Sequence, residues 1–174
     1  KLGEDLALGS VARVGDFTNK QSVNNKLTYI APLEHRGFWK WNSNKSGTPG
    51  YVEVSATNAT EAKLVQKQGD KEIKFKYLNS AYFSSDLKRY LRNNGYRNVG
   101  LTDFTFEKSD DGSLYWVITK YKNTTLWRNP EAIGIVILDA QTGEIKEYTV
   151  EDDTIIKLDG KDADFDDIKE KMEV

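Results

Sequence analysis

The sequence predicts an α+β protein of two tandem helix-plus-antiparallel-sheet units with a short C-terminal helix. Three observations carry this reading. Residues 80–94 hold one apolar stripe of helical period, the stretches after them alternate with a period of two, and an earlier part of the chain repeats that succession at an offset of 84 to 87 residues. The expected divisions are 1–70 for a first unit whose N-terminal helix is truncated, 71–153 for a second unit, and 154–174 for an acidic segment.

The central helix rests on Phe83, Leu87, Tyr90 and Leu91, which fall at i, i+4, i+7 and i+8. Ser80 or Ser84 is placed to cap its start. Gly95 follows Asn93 and Asn94, where a left-handed C-terminal cap favours glycine, and Tyr96 is placed to fold back onto that cap. After it, residues 101–108 put Phe104 and Phe106 on one face, and residues 109–113 have turn chemistry. In residues 114–122, Leu114, Trp116 and Ile118 alternate with Tyr115 and Val117. A loop leads to an apolar strand at 133–138. The turn 139–143 then returns as a strand at 144–150, with Gly143 where a type I turn plus bulge needs positive φ.

The earlier copy is read in the same way. Residues 2–8 are the end of a helix, 10–17 and 27–33 are strands joined by a turn at 24–26, and 50–57 stand where 134–141 stand later. Units of about 80 residues are marginal alone, so the two are expected to pack together, with residues 72–77 as a connecting strand.

Composition narrows the chemistry. The 174 residues carry 25 Lys+Arg against 27 Asp+Glu, a net charge of −2, which argues against a dedicated nucleic-acid binder. With no cysteine, disulfides, thiolate nucleophiles and Cys-based metal sites are excluded. The single histidine, His35, reads as a structural strand-end residue, and no Gly-x-Ser-x-Gly elbow accompanies it. With no Cys and one His, only carboxylates could supply the rest of a zinc site, and no P-loop is present. No cofactor and no metal are therefore expected. In the acidic tail, Asp162, Asp164, Asp166, Glu170 and Glu173 match calcium-loop positions 1, 3, 5, 9 and 12, but Asp167 stands where that loop needs glycine. Phe165, Ile168 and Met172 instead favour a short amphipathic helix.

The run Leu138-Asp139-Ala140-Gln141-Thr142-Gly143-Glu144-Ile145 resembles the signature hairpin of PepSY-type domains, and the preceding helix and hairpin follow the order of that family. The resemblance covers about residues 79–152. At the corresponding place in the first unit, residues 55–61 lack both the Asp and the Gly. The resemblance implies PepSY/cystatin-like folds and a non-catalytic binding or regulatory role, as in inhibitory propeptides of some secreted metallopeptidases and tandem modules of bacterial envelope proteins. It brings no catalytic residues. Together with the absence of cysteine, it points to an extracytoplasmic location, secreted or membrane-anchored. The chain opens mid-pattern at Lys1, so membrane contact is expected through a segment preceding it.

Two surfaces are candidate binding sites. Trp39 and Trp41 share one face if their segment is a strand, and with Trp127 they are candidates for a sugar or peptide platform. Lys88, Arg89 and Arg92 of the central helix, with Arg97 beyond it, form a local positive patch for anionic surfaces. The leading expectation is a non-enzymatic module that captures a protein or peptide partner at the cell envelope. The alternatives are a wall-polymer or polysaccharide hydrolase using paired carboxylates such as Glu34, Glu53 or Glu107, and a structural spacer.

Overall fold

Period-two alternation governs most of the chain. The computed structural model describes residues 6–16, 18–23, 26–58, 62–109, 111–123, 130–149, 156–158 and 161–163. Helix α1 (Leu6–Val11) runs directly into β1 (Ala12–Val14), followed by β2 (Asn19–Val23) and the ten-residue β3 (Lys26–His35). Helix α2 (Phe38–Ser43) separates β3 from β4 (Tyr51–Ser55), and β5 (Ala62–Val65) completes the first sheet. Strands β1 and β2 lie end to end along one edge of β3, and β4 then β5 along the other, all antiparallel. Between β1 and β2 the chain bulges at Gly15, whose N–H donates to the Pro32 carbonyl at 2.8 Å.

A small hairpin, β6 (Lys67–Gln68) with β7 (Lys71–Glu72), leads into the second half. Helix α3 (Leu87–Asn93) then precedes an antiparallel meander of β8 (Gly100–Lys108), β9 (Leu114–Asn123), β10 (Pro130–Asp139) and β11 (Ile145–Thr149). A last hairpin pairs β12 (Ile156–Leu158) with β13 (Lys161–Ala163). The four meander strands lie within a few residues of their expected positions because their alternation is strict: Leu114, Trp116 and Ile118 are buried, as are Val136 and Leu138 on the facing strand.

The expected fold of two tandem helix-plus-sheet units is overturned. The molecule is mostly β, and its three α-helices, among the described residues, have six, six and seven residues. Seven helical residues reach about 10 Å, against roughly 33 Å for a ten-residue strand, so such helices cannot cover a sheet. The first sheet has no covering helix among the described residues; α2 buries only Trp41. Sheet against sheet supplies the burial instead. One core cluster joins Ile30 and Tyr51 of the first sheet to Phe106, Trp116 and Val136 of the second. Phe75 bridges them, edge-on to Phe106 at 5.2 Å, and Phe106 in turn meets Trp116 at 5.3 Å. The shared strand succession needs no duplicated unit, because up-and-down connection is what short loops between antiparallel strands ordinarily produce.

The central helix starts later than expected. Asp86, not Ser80 or Ser84, is its N-cap, and the Asp86 carboxylate accepts from the Arg89 N–H at 2.8 Å. Its end matches the expectation: Gly95 has φ +108°, and the Tyr96 N–H donates back to the Leu91 carbonyl at 3.2 Å. Residues 72–77 form no continuous strand; they are extended, with one bridge from Phe75 to Thr48. At the seam between the sheets the Gln21 amide bonds both ways to the Lys108 backbone, accepting from its N–H at 3.1 Å and donating to its carbonyl at 2.6 Å. The C-terminal helix expected over Phe165, Ile168 and Met172 lies outside the described residues, as do Trp127 and the side chains of the calcium-like frame.

Candidate functional site

The residues that resemble the PepSY signature serve the fold. Asp139 Oδ1 accepts from the N–H groups of Gln141 and Thr142 at 2.8 and 2.7 Å, and Thr142 Oγ1 accepts from the Glu144 N–H. Gln141 Oε1 accepts from the Lys74 N–H, and the Ala140 carbonyl accepts from Lys76 and Tyr77. Gly143 has φ +81°, and a side chain there would strike the Tyr77 ring at 2.6 Å. Tyr90 closes the turn from above, donating its hydroxyl to the Gly143 carbonyl at 3.0 Å.

A different corner leaves its groups uncommitted. Strand β3 ends at His35, the chain turns at Arg36 and Gly37, and α2 begins. Beside it, residues 78–87 form a loop whose ends meet: Leu87 N–H donates to the Leu78 carbonyl at 3.2 Å, and a 3₁₀ turn (Phe83–Ser85) stands between them. Rings from the two segments interlock. Phe38 meets Tyr82 at 5.3 Å and Trp41 meets Tyr82 and Phe83 at 5.5 and 5.7 Å. The cluster is not sealed, for Trp39 is 77% exposed, Phe83 57% and Tyr82 37%. Phe83 also has φ +54°, a conformation that costs a bulky residue on the order of 1–3 kcal/mol and that collects at functional sites.

Two open cavities flank Tyr82. The larger, about 450 Å³, is lined by Arg13, His35, Arg36, Gly37, Ser80 and Tyr82. The smaller, about 250 Å³, includes Asn79, Phe83, Asp86 and Arg89. His35 is 3% exposed, and neither ring nitrogen has a hydrogen-bond partner among the described residues; nor does Nδ2 of Asn79. Burial pushes the imidazole down to about 4, so it stands neutral at pH 7 with one donor and one acceptor free. Ser80 Oγ accepts from the His35 backbone N–H at 3.1 Å, which leaves its own proton to donate. Arg36 holds its place by donating Nε–H to the Ala12 carbonyl at 3.0 Å.

Trp39 and Trp41 do lie together, but not as strand neighbours. In α2 they point about 200° apart, Trp41 inward and Trp39 to solvent. Arg89 of the basic patch reaches the same corner. Lys88 instead lies over the Phe104 ring at 5.1 Å, while Arg97 donates to the Arg92 carbonyl at 3.3 Å and to the Asn93 side chain at 3.2 Å. The three carboxylates considered for hydrolysis each have a different partner: Glu34 the Arg13 guanidinium at 3.2 Å, Glu53 the Lys108 ammonium at 3.7 Å, and Glu107 the Asn19 amide and Thr105 hydroxyl. Burial raises the Glu34 and Glu107 carboxyls. Among the described residues no group of three His, Asp or Glu is placed to hold a metal.

Phe38, Tyr82, Arg36 and Asn79 are site residues that the sequence does not single out, and Phe83 and Ser80 are read there only as helix residues. Their shared location depends on contacts between residues more than 40 positions apart. No protein-family model, curated protein or solved structure matches the chain.

Proposed function

We propose that the protein is a non-catalytic, extracytoplasmic binding module that captures a protein or peptide partner through the corner formed by α2 and residues 78–87. The exposed ring cluster between two open cavities carries this reading. Large aromatics left in water beside concave, polar-lined surface are characteristic of recognition surfaces, where they supply buried area with few rotors to freeze. Beneath the same cavities, His35 and Asn79 keep buried nitrogens that have no partner among the described residues, a cost the fold bears at this corner. The separate engagement of Glu34, Glu53 and Glu107 gives the hydrolase reading no comparable support.

A photo-crosslinking amino acid at position 39, with position 63 on β5 as control, tests the proposal in envelope extracts. A discrete adduct from position 39 that is absent from position 63 is the expected result. Equal smears from both positions, or no adduct from either, would overturn it. Cell fractionation of the native protein tests the compartment, with recovery outside the cytoplasm expected.

A further inference from the structure

Charge is distributed unevenly around the aromatic corner. The two segments that build it, with their immediate flanks (residues 36–45 and 78–89), carry five Lys and Arg against Asp86 alone, in a chain whose net charge is −2. Arg36, Lys40, Lys45, Lys88 and Arg89 are all exposed, and none is ion-paired to an acid among the described residues, Lys88 being turned toward the Phe104 ring. Asp86 itself is turned to its capping role on Arg89 N–H. An apolar partner alone would leave these cations uncompensated. A partner bearing anions on either side of an apolar anchor would compensate them.

Resting on the binding reading above, we propose that the partner is an acidic peptide segment: its apolar or aromatic side chain lies against Trp39, Tyr82 and Phe83, and flanking carboxylates enter the two cavities toward Arg36 and Arg89.

Each part of the geometry matches that chemistry. On one side a carboxylate would meet the exposed Arg36 guanidinium beside the Ser80 hydroxyl; on the other it would meet the exposed Arg89 guanidinium. Charge-assisted bonds of this kind are roughly twice as strong as neutral ones, and a planar guanidinium accommodates both carboxylate oxygens. The pairing of cavity-lining donors with exposed rings distinguishes a peptide from an anionic bilayer. A lipid surface attracts cations and aromatics alike but sends no group into a cavity holding a buried imidazole.

The test begins with a displayed library of random 12-residue peptides panned against the full chain. The expected enrichment is at least threefold in Asp and Glu within three positions of a Trp, Phe or Leu. The best enriched peptide, made synthetically with a fluorescein label, should lose at least tenfold affinity to the double variant Arg36→Ser, Arg89→Ser. It should lose about as much to Trp39→Ser, and should weaken steadily between 50 and 300 mM NaCl. All three positions are exposed, and an unchanged melting curve confirms that the variants fold. Enrichment of neutral or basic peptides, or acidic binders indifferent to Arg36→Ser, Arg89→Ser, overturns the acidic partner while leaving peptide capture standing. Co-sedimentation with phosphatidylglycerol vesicles in the absence of any peptide enrichment overturns it in favour of a lipid surface. No enrichment together with no adduct from position 39 removes the binding reading itself.

Discussion

At the 139–144 turn, the side chains of Asp139, Gln141, Thr142 and Glu144 all have partners within the molecule. At the corner of α2 and residues 78–87, His35 and Asn79 have buried polar atoms without partners among the described residues, Trp39 stands in water, and Phe83 is held in a left-handed conformation. Both regions are rich in turn-forming residues, so that feature of composition does not separate them. What separates them is whether the fold satisfies its own polar groups. A locally complete region is there for stability, whereas a locally incomplete one is held in place by its neighbours and left available to something else.

The sharpest way to break this contrast is to truncate one tryptophan from each kind of surface. Trp116, fully buried and donating Nε1–H to the Tyr77 carbonyl at 2.9 Å, should cost about 3–5 kcal/mol as Trp116→Ala. Trp39→Ala should stay within about 0.5 kcal/mol. Urea denaturation read by circular dichroism checks both, and a large loss at Trp39 would mean that the corner is core.

Next in size is Gly143→Ala, which combines a positive φ with a clash against the Tyr77 ring and the Tyr90 hydroxyl. A loss of about 2 kcal/mol is expected. The same measurement decides whether the 139–144 turn is as structural as its hydrogen bonds indicate.

Acid should expose the imidazole of the corner. Its folded pKa, about 4, lies below the ordinary 6.5, so between these values the unfolded chain binds more protons and stability falls as pH drops. Glu34, next in sequence and raised by burial, acts with the opposite sign, favouring the folded state as the pH falls. The His35 part is isolated by comparing the wild type with His35→Asn. The variant should lack a pH-dependent loss on the order of 1–2 kcal/mol between pH 6.5 and 4, measured by urea midpoints across that range. Parallel curves would show that the ring titrates freely in the folded state.

The smallest effect is expected at Phe83. Phe83→Asn relieves backbone strain, because asparagine tolerates positive φ, and should leave stability unchanged or raise it by about 0.5 kcal/mol. Thermal melts check this. A clear destabilisation would make the Phe83 ring a packing element and narrow the uncommitted surface to Trp39 and Tyr82.

These two regions were also unequally legible. The 139–144 turn is local: Asp, Thr and Gly at fixed offsets between alternating strands specify it, and Gly143 has the positive φ expected of it. The meander follows from alternation in the same way. The central helix was legible at its end but not its start, because Phe83 fits the apolar stripe while Asp86 captures the first turn three residues later. Trp39 and Trp41 would share a face only in a strand, and α2 forms instead, with no side-chain cap and with Trp41 buried. The first unit failed as a copy because a sequence offset reports strand succession, not what covers the sheet. The cavities were hidden because they gather residues 13, 35–37 and 79–89, a juxtaposition that no local pattern encodes.

The Gln21 amide has a consequence of its own. Strand β8 is the outermost member of its sheet, and at Lys108 its outward N–H and carbonyl would otherwise be free to recruit a strand from another molecule. One neutral side chain reproduces both rungs of a missing neighbour and so terminates the ladder from within. A carboxylate at that position would retain the acceptor and lose the donor, leaving the end of β8 half open to self-association between chains.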